Sequence, residues 1–428
     1  MNLHETRTRA ALEALAAELT AAVVPRIPDG SAATPQVASS PQATSSPAAS
    51  PEPVEAASAV VAAIDRPGQD AVIVAAGRTS VLSPTDIGRE DLQSAHPSPP
   101  PEPVTEQTLF DMASVTKVAA ALTAATLIDD GLLDLDAPVH EVLGERVPDP
   151  RITARMLMTH TAGLSPTLPL WTGDGDRETR LDRIAAAPLR SEPGTAHAYS
   201  CIGFILLGLL CEQLGGAPLP QLARTRVLSP AGANGAHWLP DESRAPQCAA
   251  TEIDTATPRG LVQGIVHDET AWSTGPVGNA GLFATVADAL ALGRALAGRT
   301  DLRLSPATWE LLRTDQLGDD IPVDGTWRQG LGLRIGHDLP NGSTALQFVG
   351  HPGFTGTSVL ADPTSGAVGV LLTNRVHPHR DLHTVLRARR LVASLLLDED
   401  SCPTDDAASH RDASDGSQAG AVLSLIHI

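Results

Sequence analysis

The 428-residue chain contains a single lysine and a single tyrosine. Lys117 stands three residues after a serine, in Ser114-Val115-Thr116-Lys117, and the tyrosine lies in Ala198-Tyr199-Ser200-Cys201. Apart from histidine, every other basic side chain is arginine. Arginine keeps its proton, whereas a buried lysine can lose one and act as a base. A serine hydroxyl is a poor nucleophile until a neighbour takes its proton. Residues at i and i+3 of a helix share a face one turn apart, so Ser114 and Lys117 fit a nucleophile and its general base. Ser114 falls in the first turn of the expected helix, where free N–H groups and the helix dipole favour developing negative charge. Lysine serves as a base only when neutral, which requires desolvation or nearby positive charge.

Tyr199 follows the turn Pro193-Gly194-Thr195 and precedes an apolar helix beginning near Cys201. Alone, a tyrosine at a helix start is usually a packed core residue. As the only tyrosine, beside the only lysine, it is a candidate second base or proton shuttle. The third element is Gly350-His351-Pro352-Gly353-Phe354-Thr355-Gly356, whose glycines allow close backbone approach to a ligand. The backbone N–H of Phe354 pairs naturally with that of Ser114 as an oxyanion hole, a device whose donors are worth about 10²–10³ each in kcat. An isolated Ser-x-x-Lys is weak, and so is an isolated Gly-rich turn; the weight lies in their conjunction.

Together these elements resemble the serine β-lactamase and penicillin-binding-protein superfamily, and most of all its class C-like, esterase-type serine hydrolases. The resemblance covers about residues 54 to 397. It is carried further by Leu109 to Lys117, Gly131 to Val139, Leu157-Met158-Thr159-His160-Thr161-Ala162-Gly163-Leu164, Asn279 to Phe283 and Leu372 to Pro378. It implies an α+β fold of the β-lactamase/transpeptidase type: an antiparallel sheet built from N- and C-terminal segments, flanked by helices, plus a mainly helical lobe. It implies Ser114 as acylated nucleophile, Lys117 as its base, Tyr199 in proton transfer and His351 at the first position of the third motif. Gly353, Phe354 and Cys201 fall at oxyanion and substrate-binding positions. No cofactor and no metal are implied.

The departures bear on substrate. The family's Tyr-x-Asn has Cys201 at its third position, which removes an amide. Its Lys-Thr-Gly is His351-Pro352-Gly353; Pro352 brings neither hydroxyl nor N–H, and a histidine is cationic only part of the time near neutral pH. Both changes weaken recognition of a β-lactam carboxylate or a peptide C-terminus. Ester or amide hydrolysis is therefore expected ahead of β-lactamase or D-alanyl-D-alanine carboxypeptidase activity. A catalytically silent binding or sensor protein on the same scaffold is the other class, and the intact Ser114, Lys117 and Tyr199 argue against it.

Composition narrows the partners. A net charge of −20 argues against nucleic acid or an anionic membrane surface; the resemblance implies a small-molecule ester, amide or lactam as the partner. No run of apolar residues is long enough to span a bilayer. The N-terminus lacks the uninterrupted apolar stretch of a secretory signal, so a cytoplasmic location is expected. The four cysteines show no CxxC spacing and read as free thiols. His377-Pro378-His379 with His383 reads as a surface loop rather than a metal site. His267-Asp268 reads as a loop cap or as lining for the site. The oligomeric state has no signature here.

Residues 1–27 read as an amphipathic helix, 28–53 as a disordered Pro/Ser/Ala linker, 54–398 as the hydrolase domain and 399–428 as a disordered acidic tail. Leu423 to Ile428 reads as a translated sequencing-library adapter. Ala57–Ile64 and Ala71–Ala76 form a hairpin across Arg66 to Gln69. Asp111 caps an Ala-rich helix running to about Asp130, and Thr285 to Asp288 is a capping box. Short strands are expected at Gln347–Val349, Ser358–Ala361 and Val368–Thr373, followed by a helix over Leu382–Leu397.

Overall fold

A computed structural model describes residues 3–23, 54–82, 99–240, 242–318, 321, 327–338 and 347–397. The linker expected at 28–53 and the tail at 399–428 lie outside these residues. The strand Ala59–Asp65 (β1) is an unbroken apolar run buried along its whole length. Successive side chains of a strand point to opposite faces. Accordingly, Ala59, Val61 and Ala63 enter one core while Val60, Ala62 and Ile64 enter another. β1 pairs with Val72–Gly77 (β2), forming the expected hairpin. The later strands are Arg328–Gln329 (β3), Arg334–Ile335 (β4), Val349–Pro352 (β5), Ser358–Ala361 (β6) and Val368–Thr373 (β7). They join the hairpin in one sheet of order β2-β1-β7-β6-β5-β4-β3, with every neighbouring pair antiparallel. The sheet is thus assembled from both ends of the chain, as expected.

The helices that carry and support the site are Leu3–Ala21 (α1), Thr116–Asp129 (α2), Cys201–Gly215 (α3), Val286–Leu296 (α4) and Leu386–Ser394 (α5). α4 starts at the expected capping box between Thr285 and Asp288 and packs on the main-core face of the sheet. α1 and α5 cover the opposite face. Leu12, Leu15, Ala16 and Leu19 of α1 follow the i, i+3, i+4, i+7 pattern of one helical face, and all are buried in the second core. The folded body therefore includes α1 instead of beginning near Val54; the low-complexity stretch between them had the look of a boundary. α5 starts later than expected because His383–Thr384 pairs as a short strand with Val54–Glu55.

The helical lobe is centred on α2 and α3. α2 is buried from Thr116 to Leu127, and its alanines let α3 approach closely. Between lobe and sheet, Phe110–Asp111 pairs with Leu282–Ala284, which also pairs with His237–Trp238. His377 is fully buried, not on a surface loop. Its Nε2 accepts the Val81 N–H at 3.1 Å and lies 3.2 Å from Ser80 Oγ, and burial holds it down to about 3. None of the three described cysteines is in a disulfide. Among the described residues no single helix is long and apolar enough to cross a membrane.

Candidate active site

Ser114 sits in a single tight turn, Ala113–Val115, that runs directly into α2. Ala113 has φ +45°, a strained conformation for a residue with a side chain. The strain is held by Asp111, whose carboxylate accepts the Ala113 N–H at 2.8 Å and the His267 N–H at 2.7 Å. Asp111 is therefore not the N-cap of α2, as expected, but a buried brace one turn earlier. Burial pushes its carboxyl up to about 6, with the two N–H bonds opposing. The strand Leu282–Ala284 fixes the same turn from the side: Met112 N donates to Leu282 O at 2.9 Å, and Leu282 N donates to Thr116 Oγ1 at 3.1 Å.

Ser114 Oγ lies 3.1 Å from Lys117 Nζ and 2.9 Å from Tyr199 Oη. Lys117 is fully buried. Its ammonium also donates to the Asn279 carbonyl at 3.0 Å, lies 3.5 Å from Cys201 Sγ and sits 4.9 Å above the Tyr199 ring. Burial pushes the lysine down, but Cys201, Tyr199 and Asp268 oppose it and leave it raised. This runs against the expectation of a lysine made neutral by its surroundings. The relevant unit is the Lys117–Tyr199 pair, since both side chains reach Ser114 Oγ. When it holds one proton fewer than its full complement, it offers Ser114 an accepting lone pair on one member or the other.

Tyr199 is placed by the loop before α3 and by His160. The His160 ring lies 4.6 Å from the Tyr199 ring, and its Nδ1 accepts the Ser200 N–H at 3.2 Å. Burial first, then His197 and Lys117, push His160 well below its usual range, so the ring is neutral. Ser200 caps α3 by accepting the Gly203 N–H at 3.2 Å. Cys201 is the first residue of α3 and half-buried, with its sulfur on Lys117.

The Gly353 to Thr357 turn is stapled against the Ser114 segment. Thr355 Oγ1 donates to Asp111 O at 2.8 Å and Thr357 Oγ1 to Met112 O at 3.0 Å. Gly353 is required at this approach, because a Cβ there would stand 2.6 Å from Met112 O. The Phe354 ring turns away toward His267 and Arg375, leaving its backbone as the part available to the site. His351 is buried, with its ring 5.9 Å from that of Tyr199 and Nδ1 2.7 Å from Pro352 O. Burial, followed by Arg334 and Lys117, pushes His351 well below its usual range. It is neutral around pH 7, not partly cationic as expected, and supplies no charge.

The sequence reading missed Arg334 and the role of Asn279, and it left Asp268 between loop cap and site lining. Asn279 acts through its main-chain oxygen on Lys117, which no side-chain pattern reveals. Asp268 is both cap and support: it accepts the Ala271 N–H at 2.8 Å and the Asn279 Nδ2 amide at 3.3 Å. Arg334 lies over the Tyr199 ring, with Cζ 5.0 Å from its centroid. A separate cavity of about 720 Å³ opens between Thr79, Glu102, Arg244 and Asp288, and none of the residues above lines it. Among the described residues no group of three or more His, Cys, Asp or Glu side chains is arranged to hold a metal.

A tight turn presenting Ser-x-x-Lys between an antiparallel sheet and a helical lobe, with a tyrosine on the serine, defines a serine hydrolase of the penicillin-recognising type. The Beta-lactamase family profile matches residues 55–394, and the chain belongs to that family. A Salmonella enteritidis protein provisionally named D-alanyl-D-alanine carboxypeptidase is 28% identical over 316 residues, covering 64% of this chain and 71% of the relative. The fold is shared with a penicillin-binding protein from Bacillus halodurans (TM-score 0.60, 19% identity, covering 79% of this chain and 95% of that one). It is shared equally with EstCE1, described as a hydrolase with promiscuous acyltransferase activity (TM-score 0.59, 22% identity, covering 79% and 93%).

Proposed function

We propose that the protein cleaves an ester or amide through an acyl-enzyme on Ser114. The observation that carries this reading is the placement of Ser114 Oγ between Lys117 Nζ and Tyr199 Oη, at 3.1 and 2.9 Å. Ser114 Oγ attacks the acyl carbonyl as its proton passes to the Lys117–Tyr199 pair. The backbone N–H groups of Ser114 and Phe354 receive the developing oxyanion. Tyr199, next to Ser114, returns the proton to the leaving oxygen or nitrogen. Water then attacks the acyl carbonyl as the same pair takes its proton; the acyl–Oγ bond breaks, the pair returns the proton to Ser114 Oγ, and the acyl group leaves as the acid. Positioned acid–base groups of this kind contribute about 10²–10⁴ in rate.

The structural likeness to a hydrolase with acyltransferase activity fits an ester substrate, and the names of the curated relatives fit an amide. The test is hydrolysis of p-nitrophenyl acetate and butyrate. Activity is expected in the wild type and not in Ser114→Ala; turnover surviving in Ser114→Ala overturns the reading.

A further inference from the structure

The cavity of about 720 Å³ away from Ser114 falls in the size range of small-molecule sites, about 300–1,000 Å³. Its charged groups are unequally engaged. Asp288 is committed to the fold, its carboxylate accepting the N–H groups of Gly235 at 2.8 Å and Thr285 at 3.1 Å. Glu102 is exposed, and among the described residues nothing donates to its carboxylate. Arg244 is oriented without any carboxylate: Nη1 donates to His237 Nε2 at 3.1 Å, and Nε donates to Gln247 Oε1 at 3.3 Å. His237 Nδ1 lies 2.6 Å from Gly235 O, which leaves Nε2 as the acceptor. Burial, opposed by that carbonyl and assisted by Arg244, holds His237 below its usual range, so the ring is neutral. Arg244 Nη2, the Gln247 amide N–H groups and the Gln107 side chain have no partner among the described residues.

We propose that this cavity is an effector site for a short peptide with both ends free, read by Glu102 and Arg244, and that its occupancy is transmitted to Ser114. A guanidinium matches the peptide's carboxylate, Glu102 takes its ammonium, and the amides of Gln107 and Gln247 pair with peptide groups. Two carboxylates face one arginine across the cavity, so an anion without a positive end is disfavoured. The route to the serine is the three-stranded sheet beside it. Thr105 and Thr108 of the cavity wall lead into Phe110–Asp111, Thr285 and Asp288 follow Leu282–Ala284, and Gly235 precedes His237–Trp238. The cavity thus lies at one end of all three strands. At the other end Asp111 braces the Ser114 turn, Leu282 O accepts the Met112 N–H, and Asn279 O holds Lys117. The wall at Gln247 is tied to the same strand, because its carbonyl accepts the Leu109 N–H at 2.8 Å. A ligand bridging these walls tightens the strands that clamp the nucleophile.

The first test is calorimetric titration of trialanine into the full-length Ser114→Ala protein, which does not depend on turnover. Saturable binding is expected. Adding Glu102→Gln or Arg244→Gln, or capping the peptide by N-acetylation or C-terminal amidation, should each weaken it about tenfold, the scale of one charge-assisted contact. Glu102→Gln keeps the test sound if Arg244→Gln disturbs His237, since the Glu102 carboxylate holds nothing in place among the described residues. No saturable binding, or binding unchanged in both variants, overturns the site. The second test is wild-type hydrolysis of p-nitrophenyl acetate with and without saturating trialanine. At least a twofold rise in kcat is expected, and its loss in Glu102→Gln. An unchanged rate overturns the coupling to Ser114, and a rise in KM alone marks trialanine as a competitor at Ser114 and overturns the effector role. Saturable, Glu102-dependent binding with no Ser114-dependent turnover would sink the acyl-enzyme reading and support the site.

Discussion

Arg389 Nη2 donates to the carbonyl oxygen of Gly353 at 2.5 Å and to that of Thr357 at 2.9 Å. In a planar trans peptide the carbonyl and the following N–H point in opposite directions. A guanidinium fixed on Gly353 O therefore aims the Phe354 N–H away from α5, and its charge polarises that amide. Arg389 is a positioning residue for the proposed oxyanion donor, held on a helix at the far end of the chain. Arg389→Ala is expected to lower kcat for p-nitrophenyl acetate by about 10- to 100-fold with little change in KM, less than outright loss of a donor. Arg389→Lys should recover part of that loss. Equal losses in both variants, together with a lowered melting temperature, would mark Arg389 as a purely structural residue.

The raised Lys117 separates two roles for its ammonium. As a member of a proton-sharing pair, it is not replaceable by arginine, which cannot release a proton. Lys117→Arg and Tyr199→Phe are each expected to cost about 10²–10⁴ in kcat/KM. The double variant should cost little more than either single one, because the two act as a unit. Near-normal rates in Lys117→Arg would reduce the lysine to a fixed charge.

Asp111 ties the site to acid stability. Its folded carboxyl titrates at about 6 against 3.8 for the ordinary group. Because the folded value is the higher one, the stabilisation is fully present below pH 3.8 and is lost as pH rises through about 6. Between those limits the wild type should lose up to ~1.4 kcal/mol per pH unit relative to Asp111→Asn. Denaturant titrations at several pH values measure the difference; parallel stability curves for the two proteins would refute the assignment.

α1 is part of the domain. Leu12 and Leu19 are fully buried against the sheet. Truncating either to alanine is expected to destabilise the whole protein by about 2–5 kcal/mol, the usual range for a buried leucine. A single cooperative transition at lower denaturant is the expected result. Unchanged stability would show that the helix does not contribute to the core.

Much of this was legible beforehand. Ser114, Lys117 and Tyr199 stood out by rarity and spacing, and the structure brings all three into hydrogen-bonding contact. The apolar runs of β1, β6 and β7 gave the sheet because strands buried on both faces have no polar alternation to obscure them. The charge states were not legible. His351 is neutral and Lys117 raised because of what packs around them, and burial is a property of the fold. Arg334 escaped notice as one arginine among twenty-nine, since only its stacking on Tyr199 distinguishes it. Asn279 acts through its backbone carbonyl, which any residue type carries, whereas Gly353 was legible because only glycine fits so close to Met112 O.

The central claim is covalent acylation of Ser114. Intact-mass spectrometry of the full chain, quenched during turnover of p-nitrophenyl butyrate and followed by peptide mapping, tests it most directly. The account predicts a mass gain of one butyryl group on the peptide containing Ser114, absent from Ser114→Ala. An adduct on any other residue, or steady turnover by Ser114→Ala, would contradict it.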